Sequence, residues 1–263
     1  MIGIFDSGVG GLTVVKEVMK QLPQYQLVYF GDTARTPYGN KSAELVTRYA
    51  IQDVRLLLEK GAKLIIAGCN TASAVALDAL KREFPDVPIF NVITPAVAKA
   101  VSITKVRRIG VIGTTATIGS GIYERLLREK NNGYQVFQQA CPLLVPLVEE
   151  NWLRKPETKM IVRGYLSGLK AKSIDALILG CTHYPLLRTL IQAKVGRRVR
   201  VVDPAEETVK TVQRFLATHQ DIDSALAKNG KHIFYFSDVT DKVRNIATHW
   251  LGQPVKIEQI KIE

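Results

Sequence analysis

The stretch Ile2–Met19, IGIFDSGVGGLTVVKEVM, reads as a short apolar strand, a glycine-rich turn and an amphipathic helix. It has a counterpart at Ile109–Leu126, IGVIGTTATIGSGIYERL, an offset of 107 residues from Ile2 to Ile109. In each copy an apolar run too short for a helix gives way to apolar residues three and four positions apart. Two cysteine-bearing stretches follow at nearly the same spacing: IIAGCNTASA around Cys69 and LILGCTHYPL around Cys181, 112 residues apart. Two similar halves are the simplest account.

Outward from these stretches the same alternation continues. Apolar runs of four to six residues, MIGIF, LVYF, KLIIA, IFNVI, RIGVIG, YQVF, ALILG and RVRVV, are separated by helical patterns such as SAELVTRYAIQDVRLLLEKG, which ends on Gly61, a C-terminal helix stop. That alternation predicts an α/β chain with mostly parallel sheets. Prolines at ITPAV (Pro95) and VVDPAEE (Pro204) are the expected crossing points between halves. The expected domains are residues 1–94 plus 205–263, carrying Cys69, and residues 95–204, carrying Cys181. The last segment holds a strand HIFYF, a helix ending near Trp250 and a strand VKIEQI, and is expected to pack on the first half.

Composition narrows the class. A chain of 263 residues with three cysteines and no Cys-x-x-Cys is not a disulfide scaffold and suits a reducing compartment, so a cytoplasmic protein is expected. No basic leader precedes the first strand and no apolar run is long enough to cross a bilayer, so no membrane partner is expected. The formal charge is +12, with basic clusters at Lys105–Arg108 and Lys194–Arg200. Neither cluster is interleaved with aromatic residues that could stack on bases, so they read as solvated faces and no specific nucleic-acid partner is expected.

Several stretches could carry chemistry. FDSGVGG offers backbone N–H groups at a helix start. With Gly8, Gly10 and Asp32 it partly fits a dinucleotide fingerprint, but Thr13 stands where the third glycine belongs. GDTARTPYGNKS, with Pro37, Tyr38 and Gly39, reads as a polar loop able to cover a ligand, followed by a helix start at Ser42. Each of Cys69 and Cys181 follows a glycine at a strand's end, next to an expected helix start whose dipole favours thiolate. Polar side chains follow both: Asn70 and Thr71, then Thr182 and His183. Cys141, before Pro142, reads as core. A redox pair, a zinc site using Cys181 and His183, and a single nucleophile are all poorer fits than two opposed acid/base groups. One such group takes a proton from one face of a carbon while the other returns a proton to the opposite face.

FDSGVGG, DTARTPYG, AGCNTAS, GTTATI, VPLVE and LGCTHYPLL occur in the order found in glutamate racemase, and the chain resembles that family of the cofactor-independent aspartate/glutamate racemases over most of its length. The resemblance implies two similar parallel-sheet α/β domains related by pseudo-symmetry, with an active site in the cleft between them. It implies Cys69 and Cys181 as alternating thiolate base and thiol acid, with no pyridoxal phosphate or metal. The thiol matching Cys181 acts on the L-enantiomer and that matching Cys69 on the D-enantiomer. By motif, Asp6, Ser7, Tyr38, Gly39, Asn70, Thr71, Thr114, Thr117 and Thr182 bind the substrate glutamate. His183 and Asp6 assist the two thiols, and Glu149 is a further acidic residue near the site. Asn151 in VEENW departs from the small residue or glycine of many relatives, which bears on the loop shape there. The resemblance further implies a homodimer that supplies D-glutamate for peptidoglycan. Aspartate racemase, a nucleotide-binding module and a nucleic-acid-binding protein are the competing readings.

Overall fold

The structure is a computed structural model that describes residues 1–262. Among these residues the strands are β1 (Ile2–Asp6), β2 (Leu27–Gly31), β3 (Leu64–Ala67), β4 (Ile89–Asn91), β5 (Arg108–Gly113), β6 (Gln135–Ala140), β7 (Ala176–Gly180), β8 (Arg200–Val202), β9 (Ile233–Phe236) and β10 (Ile257–Gln259). They form two sheets, β10-β9-β2-β1-β3-β4 and β6-β5-β7-β8, and every pairing is parallel. The order β2-β1-β3-β4 in one sheet is the order β6-β5-β7-β8 in the other, so the repeat seen in sequence is a repeat of topology. The final segment adds β9 and β10 on the β2 edge of the first sheet, the half on which it was expected to pack.

Two compact units result: Met1–Val92 with Thr208–Glu263, and Ile93–Glu207. The changeovers lie within a few residues of Pro95 and Pro204, and each proline stands in the first turn of a helix, Thr94–Ile103 and Pro204–Thr218. A helix's first turn needs no N–H from its residues, and the fixed φ of proline suits it.

Burial explains why these runs become parallel strands. All five residues of β1, β2 and β7 are buried, as covering on both faces by crossover helices requires. The helix Ala43–Glu59 shows the complementary pattern. Ser42 caps it by accepting from Leu45 N at 3.3 Å, and its buried face is Val46, Ala50, Asp53, Val54 and Leu57. Gly61 at φ +89° then turns the chain into β3. The two basic clusters lie at the starts of β5 and β8, where Arg107, Arg197, Arg198 and Arg200 are exposed, consistent with a solvated face. No helix among the described residues is long and apolar enough to cross a membrane.

Candidate active site

In the first unit β1 and β3 are adjacent paired strands; Asp6 ends β1, and Cys69 lies two residues beyond the end of β3. Asp6 is buried, and its Oδ2 accepts from Gly8 N at 2.9 Å, which folds the chain into the glycine turn. The helix beyond begins only at Leu12, so Asp6 shapes the turn and does not cap the helix. Tyr29, from β2, donates its hydroxyl to Gly8 O at 2.8 Å and fixes the same turn. Cys69 stands at the N-cap of the short helix Asn70–Val75, and its Sγ lies 3.5 Å from Ser7 Oγ. Asn70 and Thr71 are buried in the first turn of that helix.

The expectation that the helix start would favour thiolate at Cys69 is not met. Burial, followed by the negative charge of Asp6, pushes the Cys69 thiol up to about 12. Hydrogen bonds from the backbone of Ala72 and from Ser7 act in the opposite direction and are outweighed. At neutral pH this sulfur keeps its proton.

The loop GDTARTPYGNKS is exposed at Ala34, Thr36, Pro37 and Asn40 but is anchored by two buried side chains, Asp32 and Tyr38. Tyr38 begins a 3-10 turn, Tyr38–Asn40, and is wholly buried. Its hydroxyl binds Asp32 at 2.5 Å and Asp53 at 2.9 Å. Its side chain is thus committed inward, and what Tyr38 and Gly39 can offer a ligand is the N–H groups that open the turn, which have no intrahelical acceptor. Asp32 is likewise consumed: it pairs with Arg35 at 2.6 Å and accepts from Ser237 at 2.9 Å. A ribose has no free acid here, which removes the dinucleotide reading.

In the second unit β7 carries Cys181 at its end, beside the equivalent end of β5, which leads into Thr114. A 3-10 turn, Tyr184–Leu187, with Pro185 in its first turn, follows Cys181 in place of the expected α-helix and leads directly into the helix Arg188–Val195. Cys181 Sγ lies 3.8 Å from His183 Nδ1, and His183 Nε2 lies 3.0 Å from Glu149 Oε1. Thiol, imidazole and carboxylate form a chain, with the histidine buried. Thr114 Oγ1 donates to Thr117 Oγ1 at 2.9 Å and caps Thr115–Gly119. Thr182 is buried next to the sulfur. Asn151 takes φ +56°, the left-handed region that glycine favours and asparagine tolerates, so the departure noted in sequence keeps the turn. Cys141 is buried, as its context suggested, and its carbonyl accepts from Tyr184 Oη at 2.9 Å.

Burial pulls the His183 imidazole down, but its hydrogen bonds to Cys181 and Glu149 outweigh that and hold it up at about 10. An unfolded histidine titrates near about 6.5. The imidazolium therefore contributes stability that is complete below that value and is lost as pH rises toward about 10. Glu149→Gln should lower the pH at which His183 loses its proton by about one unit or more, followed by the chemical shift of its ring protons; an unchanged midpoint would mean that Glu149 does not hold the charge.

Sequence reasoning missed Tyr29, Arg35, Asp53 and Ser237 as supports of these elements. Asp53 left a signal: it is an acid in the apolar stripe of an otherwise amphipathic helix.

Comparisons with known proteins fit this geometry. Residues 12–212 match the family model described as Asp/Glu/Hydantoin racemase. A glutamate racemase of Geobacter metallireducens is 43% identical over 263 residues, covering 100% of this chain and 97% of that one. The crystal structure of glutamate racemase isoform RacE1 from Bacillus anthracis superposes with a TM-score of 0.93 at 38% identity, covering 100% of this chain and 97% of that one. The structure of a Francisella tularensis glutamate racemase in complex with D-glutamate gives 0.91 at 35% identity, with coverage of 100% and 97%.

Proposed function

The chain belongs to the Asp/Glu/hydantoin racemase family, among the glutamate racemases, and from that premise we propose that it inverts glutamate with two thiols and no cofactor. Inversion needs an acid and a base on opposite faces of one α-carbon. Cys69 and Cys181 stand at equivalent positions of the two topological repeats, and this equivalence carries the reading.

The two sulfurs have unlike surroundings, and the difference assigns their resting roles. Cys69, beside the carboxylate of Asp6, is the thiol and acts as the acid. Cys181 has the imidazole of His183 at 3.8 Å, and an imidazolium there is the counter-ion that a thiolate base requires. In this reading Cys181 takes the α-proton of L-glutamate and Cys69 returns one to the opposite face. That transfer leaves a thiolate at Cys69 and a thiol at Cys181, the state that processes D-glutamate. Because each direction needs one thiol and one thiolate, a bell-shaped pH dependence follows.

The α-proton is a very weak acid, so the carbanion-like charge needs preorganised donors. In this reading the backbone N–H groups that open the Tyr38–Asn40 turn and the Asn70–Val75 helix serve as donors to the substrate carboxylates. Ser7, Asn70, Thr71, Thr114, Thr117 and Thr182 complete the binding groups in this reading. Work in the cytoplasm, assembly as a homodimer and supply of D-glutamate for peptidoglycan are carried over from the family resemblance.

The test is to incubate the purified protein with L-glutamate in deuterated water and to follow optical rotation and deuterium entry at the α-carbon. Loss of rotation with deuterium gain is expected, insensitive to chelators and carbonyl reagents. Exchange with aspartate but not glutamate would move the substrate, and sensitivity to either reagent would overturn the cofactor-free chemistry.

A further inference from the structure

The acids buried around Tyr38 take no part in the proton transfers above, yet they are arranged with a definite proton count. Asp32 Oδ2 accepts from Arg35 Nε at 2.6 Å and from Tyr38 Oη at 2.5 Å, and Oδ1 accepts from Ser237 Oγ at 2.9 Å. Asp53 Oδ1 accepts from Arg35 Nη2 at 2.9 Å, while its Oδ2 lies 2.9 Å from Tyr38 Oη. Both carboxyl side chains are 0% exposed. Tyr38 therefore sits within hydrogen-bond distance of two carboxyl groups with one hydroxyl hydrogen to give. If both acids were ionised, one of these contacts would be two lone pairs facing each other. One guanidinium would also face two buried negative charges, with the carboxyl of Asp6 close enough to add to the repulsion.

We propose that Asp53 is held as the neutral acid, donating from Oδ2 to Tyr38 Oη while Tyr38 donates to the Asp32 carboxylate, and that this uncharged link plus the Asp32–Arg35 ion pair positions the Tyr38–Gly39 backbone. The choice between the two acids follows from their donors. Leaving aside the one Tyr38 hydrogen at issue, Asp32 receives two hydrogen bonds, from the Arg35 guanidinium and from Ser237, and Asp53 receives one, from the same guanidinium; the better-supplied acid is the one that carries the charge. Burial, followed by the charge of Asp32, raises Asp53 well above the carboxylate range, and burial, followed by Asp53 and Asp32, keeps the Tyr38 hydroxyl protonated. The remaining contacts make the cluster rigid. Arg35 Nη1 donates to Gln52 at 2.6 Å and its guanidinium stacks 4.1 Å from the Tyr49 ring centre, while Ala34 N donates to Ser237 Oγ at 2.8 Å. The loop between β2 and the helix Ala43–Glu59 is thus tied at Asp32, Ala34, Arg35 and Tyr38.

Asp32, Arg35 and Asp53 are positioning residues, since none is assigned a contact with substrate. The positioning half of the inference rests on the proposed use of the Tyr38 and Gly39 N–H groups; the protonation half does not. Two similar acids should consequently respond in opposite ways to the same change. Asp53→Asn supplies a neutral donor of the same shape and should leave KM for glutamate within about twofold, whereas Asp32→Asn discards the charge paired with Arg35 and should raise KM on the order of tenfold or more with a smaller change in kcat. An infrared difference spectrum, wild type minus Asp53→Asn at neutral pH, should contain the carbonyl stretch of a protonated carboxylic acid. Its absence would overturn the protonation whether or not the loop binds glutamate and whether or not Asp32→Asn folds. If the band is present but neither variant changes KM, the positioning role is wrong. Equal damage from both variants would mean that Asp53 works as an anion.

Discussion

Alanine at Cys181 is expected to lower racemisation of glutamate in both directions by about a thousandfold or more, the scale of losing a positioned acid or base, and alanine at Cys69 to do the same. Both cysteine residues are buried and each side chain is replaced by a smaller group, so both variants should fold, as circular dichroism would record. The unlike surroundings of the two thiols allow a finer expectation. Cys69→Ala retains the Cys181–His183 pair and should still exchange the α-proton of L-glutamate with deuterated solvent, slowly and without inversion. Cys181→Ala leaves a sulfur that burial and Asp6 hold as a thiol up to about 12, so its exchange of D-glutamate should require a more alkaline solution. Deuterium entry into each enantiomer, measured by proton NMR against pH, checks both statements. Near-normal racemisation by either alanine variant would sink the two-thiol mechanism.

Gly31→Ala should be among the most damaging single-methyl additions in the first unit. Gly31 ends β2, paired on one side with Asp6 and on the other with Phe236. A Cβ there would lie 2.3 Å from the carbonyl oxygen of Gly8 and 2.6 Å from the Phe236 ring. The oxygen cannot yield, because Tyr29 holds it from one side and Gly8 N is bound by Asp6. Overpacking against backbone costs about 3 kcal/mol, which at this chain length lowers Tm by about 10 °C. Since the displaced backbone is the turn beside Ser7, KM for glutamate should rise as well. Gly119→Ala is the control: a Cβ there meets nothing within 4 Å, and its Tm should stay within about 2 °C of wild type. Equal melting of Gly31→Ala and wild type would show that the turn is free to move.

The repeat, the parallel sheets and the two cysteines were legible because each is written locally. A buried parallel strand is a short continuous apolar run, a crossover helix has apolar residues at three- and four-residue spacing, and IGIFDSGVGG and IGVIGTTATIG repeat that order, so the shared strand order of the two sheets follows from patterns read along the chain. The glycine after each strand, Gly68 and Gly180, likewise marks both cysteines without knowledge of any contact.

The chemical inequality of the two thiols was decided only by tertiary structure. Cys69 and Cys181 have similar neighbours in sequence, but β1 places Asp6 beside one and the end of the helix Leu144–Glu149 places Glu149 against the histidine that serves the other, 34 residues away along the chain. The burial of Tyr38 could not be read from a loop rich in polar residues either, because its partners are Asp32, just after β2, and Asp53, in the following helix, and Asp32 is held in turn by Ser237 just after β9. Sequence determines where apolar surface must be hidden, since hydrophobicity belongs to each residue alone. Charge state, proton position and the direction a hydroxyl points depend on which distant groups arrive within a few ångströms, and only the assembled fold determines that.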